Sequence, residues 1–205
     1  MASFSSFSQI YKHMTPPQPF SLILASASPR RSHLLEQAGF TFAVRPQHVD
    51  EVYPDDMLAE EVAPYLAQLK AKAAGKLLQD DHSIVLTADS VVILDGVIYE
   101  KPRDANDARR MLRALSGQEH TVITGVCLRS RKKEKVFSGV THVQFEHLTD
   151  EEIDYYIEQY QPFDKAGSYA IQEWIGLCKI SGIRGTYANV MGLPVDMVYR
   201  ELLDW

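Results

Sequence analysis

The apolar run from Ile84 to Leu94, interrupted by Thr87-Ala88-Asp89-Ser90, constrains the fold of this chain more than any other segment. Such a run, followed by Asp95-Gly96 and then Val97-Ile98-Tyr99, predicts a buried strand that turns back through a tight hairpin. Asp89 is the anomaly within it. An ionised carboxylate is costly in apolar surroundings unless something pairs with it. Three uses stay open: a metal ligand, a base that activates water, or an aspartate at a bulge bonded to nearby backbone N–H groups. An aspartyl-phosphate site would want a second aspartate two positions on, and Val91 stands there.

The flanking sequence supplies mixed elements. Ser21 to Ala25 reads as a short buried strand running into Ser26-Ala27-Ser28-Pro29-Arg30-Arg31-Ser32 and a helix through Leu34, Leu35 and Ala38 that stops at Gly39. Ser28 is the expected N-cap and Pro29 the first helical residue. A second strand is expected over Phe40 to Val44. A long helix is expected between Ala59 and Leu78, with Leu66, Leu69, Ala73 and Leu77 on its apolar face and Pro64 in its first turn or at a break. Asp104 to Leu115 predicts another helix, stopped by Gly117. Val122–Leu128 and Val136–Phe145 pair around a basic turn, Arg129 to Lys135. Thr149 to Glu152 spells a capping box for a helix reaching about Tyr160. The tail reads as loop until Pro194 opens a last helix. Strands and helices mix without strict alternation, which predicts α/β or α+β with a mixed sheet.

Composition narrows the class. The chain has 205 residues, 45% hydrophobic and 23% charged, enough for one compact domain or two small lobes sharing a cleft. A formal net charge of -6 argues against bulk nucleic-acid binding. The two cysteines, Cys127 and Cys178, lie far apart and read as reduced thiols. No apolar run suits a membrane span. Residues 1–20 are rich in Ser, Phe and Pro and are expected to form a loosely ordered N-terminal extension, with residues 21–205 as the domain. The expected location is the cytoplasm.

Several segments carry chemistry. The start of the Pro29 helix offers unpaired N–H groups and a positive dipole end, and Ser26, Ser28, Arg30 and Arg31 around it would strengthen a phosphate site. Asp50-Glu51, read alone, is a solvated acidic pair; beside Asp89 it could supply a second oxygen ligand for magnesium. Lys101 and Lys165 place cations in loops, and Lys70 flanks the apolar stripe of its helix. The basic turn Arg129 to Lys135 has no interleaved aromatics and reads as an ordinary charged hairpin tip. The histidines show no HExxH spacing, and no GxxxxGK[ST] phosphate loop is present.

Taken in order, Leu22 to Arg31, Val49-Asp50-Glu51, Leu66 to Ala73, Thr87 to Val92, Glu100-Lys101-Pro102, Asp164 to Gln172 and Asn189 to Pro194 resemble the Maf family of nucleoside triphosphate pyrophosphatases, over about residues 21–204. The resemblance implies an α/β, Maf/inosine-triphosphatase-like two-lobed fold with a long mixed sheet and a cleft between the lobes. It implies hydrolysis of a nucleoside triphosphate between the α and β phosphates with a divalent metal, Mg²⁺ or Mn²⁺. In that reading Arg30, Arg31, Lys70, Lys101 and Lys165 neutralise the triphosphate and Glu51 and Asp89 hold the metal. Asp89 takes the family's proton-acceptor position, as base, ligand or both. Base choice falls to Arg30, Ser90 and Gln172. Two of the three match the branch similar to dTTP/UTP pyrophosphatases, with Ser90 where that branch has threonine. Two departures stand out. Glu173-Trp174 replaces a common glycine and would narrow the pocket, and Lys179 to Tyr187 is about three residues longer than usual, which would alter a loop closing over the site. Alternatives are a pyrophosphatase for modified pyrimidine nucleotides, such as 5-methyl-UTP or pseudouridine triphosphate, and a non-catalytic nucleotide-binding regulator of cell division. The resemblance also suggests a homodimer.

Overall fold

A computed structural model of the chain describes residues 18–205. Most of the expected extension therefore lies outside the described residues. In its last part the Gln18 side-chain amide exchanges hydrogen bonds with the Thr41 backbone at 2.8 and 3.0 Å, and Phe20 packs on the core.

Seven strands form one mixed sheet. They are β1 (Ser21–Leu24), β2 (Phe42–Val44), β3 (Ser83–Leu94), β4 (Val97–Tyr99), β5 (Glu119–Arg129), β6 (Glu134–Phe145) and β7 (Ile180–Arg184). The order is β2-β1-β3-β5-β6-β7, with β4 on β3. β1 pairs in parallel with β2 and β3, and the other ladders are antiparallel. The helices are α1 (Pro29–Gln37), α2 (Ala59–Ala73), α3 (Ala105–Leu115), α4 (Asp150–Tyr160), α5 (Trp174–Cys178), α6 (Tyr187–Met191) and α7 (Val195–Leu203). The α/β class with a long mixed sheet is as expected.

β3 organises everything else. It is one continuous strand, paired with β5 from Val85↔Arg129 to Ile93↔Thr121 without a register shift. Thr87 to Ser90 do not interrupt it, and Asp89 sits at no bulge. Alternation of its side chains separates the cores. Leu86 and Ala88 pack with α1 and α7, and Val92 and Leu94 with α3 and α4, whereas Val91 and Ile93 meet α2. Each fully buried leucine in these cores contributes roughly 2 kcal/mol.

The buried face of α2 is Val62, Ala63, Leu66, Ala67 and Ala71. Leu69, Ala73 and Leu77 are rotated off it, and a 3₁₀ turn over Ala74–Leu77 ends the helix. Pro64 lies inside the helix, one turn deeper than expected, and the helix continues through it. What sets the packing is Gly125, opposite Asp89 on β5: a Cβ there would lie 2.2 Å from the Pro64 nitrogen. The small residues of α2 and this glycine let the helix press on the sheet, and its next turns carry Lys70 to Asp89.

Other local signals hold. Asp95 and Gly96 both adopt positive φ (51° and 75°), as a two-residue hairpin requires. Asp104 caps α3 through the Asp107 N–H, and both bonds of the Thr149–Glu152 capping box form. The tail departs from expectation. It contains α5, β7 and α6 before α7, because these elements are too short to show a period.

Candidate active site

The cleft forms where β3 loses its neighbour. β1 pairs with β3 only as far as Leu86, and β4 takes up that edge again at Val92. Between them the β3 edge is open, just beyond the carboxyl end of the parallel strand β1, a usual place for ligands in α/β sheets. The resulting cleft of about 660 Å³ is lined by Ser26, Ser28, Arg30, Arg31, Glu51, Lys70, Asp89, Ser90, Lys101, Lys165 and Gln172. All the residues picked from sequence therefore meet in one place; Asp50, the other half of the acidic pair, is not on its wall.

The α1 end is built differently from expectation. The Ser28 side chain makes no cap bond; instead Ser26 Oγ accepts from the Ser28 N–H at 3.2 Å. The first N–H groups of α1 thus keep their capacity for an anion. Arg31 patches the open edge of β3. Its Nη1 donates to the Ala88 carbonyl at 2.8 Å and to Ser26 Oγ at 3.3 Å, its Nε to the Gly192 carbonyl at 2.9 Å, and its Nη2 to Ser90 Oγ at 3.2 Å. Burial pushes the Arg31 pKa down and Arg30 adds to this, while Asp89 and Glu51 oppose it. Most donors of this guanidinium are already used, so its first role is to hold the wall together.

Ser90 is also committed. Thr124 donates its hydroxyl proton to the Asn189 carbonyl at 3.0 Å, so across the 2.9 Å Ser90–Thr124 contact Ser90 must be the donor. With Arg31 donating to it, Ser90 Oγ presents only acceptor capacity.

On the α2 side, Lys70 Nζ lies 2.5 Å from Asp89 Oδ1 and 2.7 Å from Glu51 Oε1. Two carboxylates from distant segments converge on one ammonium. Burial opposes ionisation of Glu51, but the Lys70 hydrogen bond and charge, with Lys101 and Arg31, outweigh it and hold the carboxyl below its ordinary range. Lys70 does not snorkel to solvent. Among the described residues Lys101 makes no ion pair, which leaves its charge free toward the cleft.

The opposite wall carries Arg30, Asp164 and Lys165. Asp164 bridges Arg30 Nη1 (3.4 Å) and Lys165 Nζ (2.8 Å), and Lys165 is only 8% exposed. Burial raises the Asp164 pKa, but Lys165 and Arg30 together hold it below the usual value. Gln172 Oε1 is buried with no partner. Glu173 and Trp174 do not narrow the pocket: Glu173 turns to Tyr156 and Lys165, and Trp174 packs on Tyr155. The longer segment 179–187 forms β7 and the start of α6, and none of it lines the cleft. The sequence reading missed Tyr53, whose hydroxyl donates to Glu100 at 3.0 Å, and Asp164. Only Asp164 carried a signal, its position beside Lys165.

Among the described residues no cluster of three or more His, Cys, Asp or Glu is placed to hold a metal ion unaided. Glu51 and Asp89 nevertheless suit one. Magnesium commonly takes one or two carboxylates and completes its shell with substrate phosphate oxygens and water.

A family model described as Maf-like protein matches residues 21–205. The chain is 50% identical over 186 residues to a dTTP/UTP pyrophosphatase of Phocaeicola vulgatus, covering 90% of this chain and 96% of that protein. It is 48% identical to one of Porphyromonas gingivalis (91% and 94% covered) and 46% identical to one of Flavobacterium psychrophilum (89% and 93%), both named dTTP/UTP pyrophosphatase.

Proposed function

Since the chain belongs to the Maf-like protein family, we propose that it hydrolyses dTTP and UTP to the nucleoside monophosphate and pyrophosphate. The observation that carries this reading is the convergence of Glu51 and Asp89 on Lys70 in the same cleft as Arg30, Lys101 and Lys165. Attack of water on the α-phosphorus forms one P–O bond and breaks the bond to the bridging oxygen, so pyrophosphate leaves. Such chemistry needs charge neutralisation and a positioned nucleophile more than covalent help. Arg30, Lys101, Lys165 and the α1 N-terminus supply positive potential for the three phosphates. Asp89 accepts the proton of the attacking water, with Lys70 fixing its orientation. Glu51 and Asp89 would hold Mg²⁺ or Mn²⁺, which supplies charge neutralisation at the phosphate oxygens.

For the base, a uracil or thymine edge offers acceptor, donor, acceptor. The unpaired Gln172 amide and the Arg30 guanidinium complement it, and Ser90, reduced to an acceptor, braces Arg31 in the adjoining wall. The free thiols of Cys127 and Cys178 support a reducing compartment and hence the cytoplasm. No helix of the described residues is long and apolar enough to cross a membrane.

The test is phosphorus NMR on a mixture of nucleoside triphosphates with Mg²⁺. The expected products are pyrophosphate and the monophosphates of uridine and thymidine. Release of orthophosphate with a nucleoside diphosphate would overturn the reaction, and equal consumption of every triphosphate would overturn the base assignment.

A further inference from the structure

The wall that carries Gln172 is pinned from several sides. The Tyr169 hydroxyl shares a buried hydrogen bond of 2.7 Å with His120 Nε2. The Ala170 N–H donates to the Tyr156 hydroxyl oxygen at 3.0 Å. The Ile171 carbonyl abuts Gly176, where a Cβ would come within 1.8 Å of it. Glu173 accepts the Tyr156 proton on one carboxylate oxygen and faces Lys165 Nζ at 3.4 Å with the other.

Tyr156 is completely buried, so it is a peg that cannot move without opening the core. The two carboxylates on Lys165 differ accordingly. The Asp164 side chain is 66% exposed and can swing into solvent, whereas that of Glu173 is 19% exposed and anchored. Fixing a lysine side chain costs up to about 2 kcal/mol of rotamer entropy. Glu173 imposes that cost during folding, before any ligand arrives.

We propose that Tyr156 and Glu173 form a positioning pair that ties Lys165 and the Gln172 segment into one preformed wall, so that polyphosphate and base are met by a single rigid body. The proposal rests on the nucleotide reading above.

Glu173→Gln keeps the shape and an oxygen for Tyr156 but removes the anchored one of the two charges on Lys165. Its KM for UTP should rise about tenfold with kcat within about twofold, the pattern of lost uniform binding. Tyr156→Phe also strips the Ala170 N–H of its partner, and in it alone the preference for UTP over CTP should fall about tenfold as the Gln172 segment loosens. A readout independent of turnover is acylation of Lys165 by an amine-reactive ester, followed by mass spectrometry without nucleotide. It should speed up about tenfold in both variants, in keeping with loss of a charge-assisted contact. A lower KM in Glu173→Gln would mean that the carboxylate merely screens Lys165, and unchanged acylation in both variants would mean that Tyr156 and Glu173 do not hold it; either result overturns the proposal. If Tyr156→Phe does not fold, Glu173→Gln decides alone. If the wild-type protein leaves UTP intact, the function falls, and acylation still decides the positioning.

Discussion

Two of the places where the chain gathers cations differ in kind, the β5–β6 hairpin and the cleft. At the β5–β6 hairpin they are adjacent in sequence, and each has found a local partner. Arg129 pairs with Glu134 at 2.5 Å, Lys132 with Asp81 and Lys135 with Glu201 at 2.7 Å. Arg131 donates to the Leu78 and Gln79 carbonyls, and Lys133 stands over the Trp205 ring. The hairpin uses its charge to fasten the 78–81 loop and the C-terminus. In the cleft, Arg30, Lys70, Lys101 and Lys165 come from segments far apart in sequence. There the charges are shared unevenly: Glu51 and Asp89 converge on Lys70, Asp164 is stretched between Arg30 and Lys165, Glu173 also faces Lys165, and among the described residues Lys101 makes no ion pair. Function follows how charges are shared, and density along the chain says little about it.

The sharpest break of this comparison is at Asp89. Asp89→Asn keeps the size of the side chain and a hydrogen-bond acceptor for Lys70 but loses the proton acceptor. We expect kcat for UTP to drop about a thousandfold, near 4 kcal/mol of transition-state stabilisation, with the protein still folded. Pyrophosphate release and circular dichroism on the same sample check both halves. Retention of more than a tenth of the rate would remove Asp89 from the chemistry.

The next effect lies behind the cleft, where burial does what no exposed hairpin charge can. Burial alone pushes the His120 pKa from 6.5 down to about 4. The unfolded chain therefore binds more protons than the folded one between those values, and stability must fall as the pH is lowered from 6.5 toward 4. The loss attributable to His120 is on the order of 3 kcal/mol, at 1.36 kcal/mol for each pH unit. Urea unfolding across that range should show this slope in the wild type and lose it in His120→Gln, which cannot be protonated. Equal slopes would mean that the ring is already charged when folded.

Lys70 comes third. Lys70→Met removes the ammonium that lets Glu51 and Asp89 sit together, and with it the chief forces holding Glu51 ionised against burial. With the lysine present the Glu51 pKa is depressed, so the carboxylate is lost only as pH falls through that lowered value. Without it burial prevails, and the acid limb of the pH–rate profile should move to higher pH. A rate loss of about a hundredfold at neutral pH is expected, as for removal of one preorganised donor. An unmoved acid limb would show that Lys70 does not govern Glu51.

These residues also mark how far the sequence could be read. The β3 run, the Asp95-Gly96 turn and the Thr149–Glu152 box were legible because each is a local pattern with a local cause. Arg30, Glu51, Lys70, Asp89, Lys101, Lys165 and Gln172 were legible as an ordered set, and the structure brings them to one wall or another of the same cleft. Their division of labour was not. That Arg31 spends its donors on the open edge of β3 and that Ser90 gives its proton to Thr124 depend on contacts between segments remote in sequence, whereas Ser26 serving the start of α1 in place of Ser28 is a local contact that the usual capping rule does not pick out. The apolar face of α2 was misplaced for a similar reason. Leucines at the right spacing suggested one stripe, while the close approach at Gly125 selected the alanine-rich one. The pairing of Tyr53 with Glu100 left no trace, although Glu100 stands in one of the segments read, since it joins two loops.

The smallest effect completes the contrast. Lys132 and Asp81 form an ion pair whose side chains are 76% and 49% exposed. Water and salt screen such a pair, and the ordering of two mobile side chains offsets what attraction remains. Lys132→Ala should therefore change unfolding free energy by no more than about 0.5 kcal/mol. The rate of pyrophosphate release and its dependence on UTP concentration should stay as in the wild type. A raised KM would mean that the hairpin contributes to drawing the anionic nucleotide in from a distance, and that the separation between fastening charges and working charges is incomplete. Repeating the measurement at high salt would distinguish the two cases, because long-range attraction fades with ionic strength whereas a difference caused by altered packing would persist.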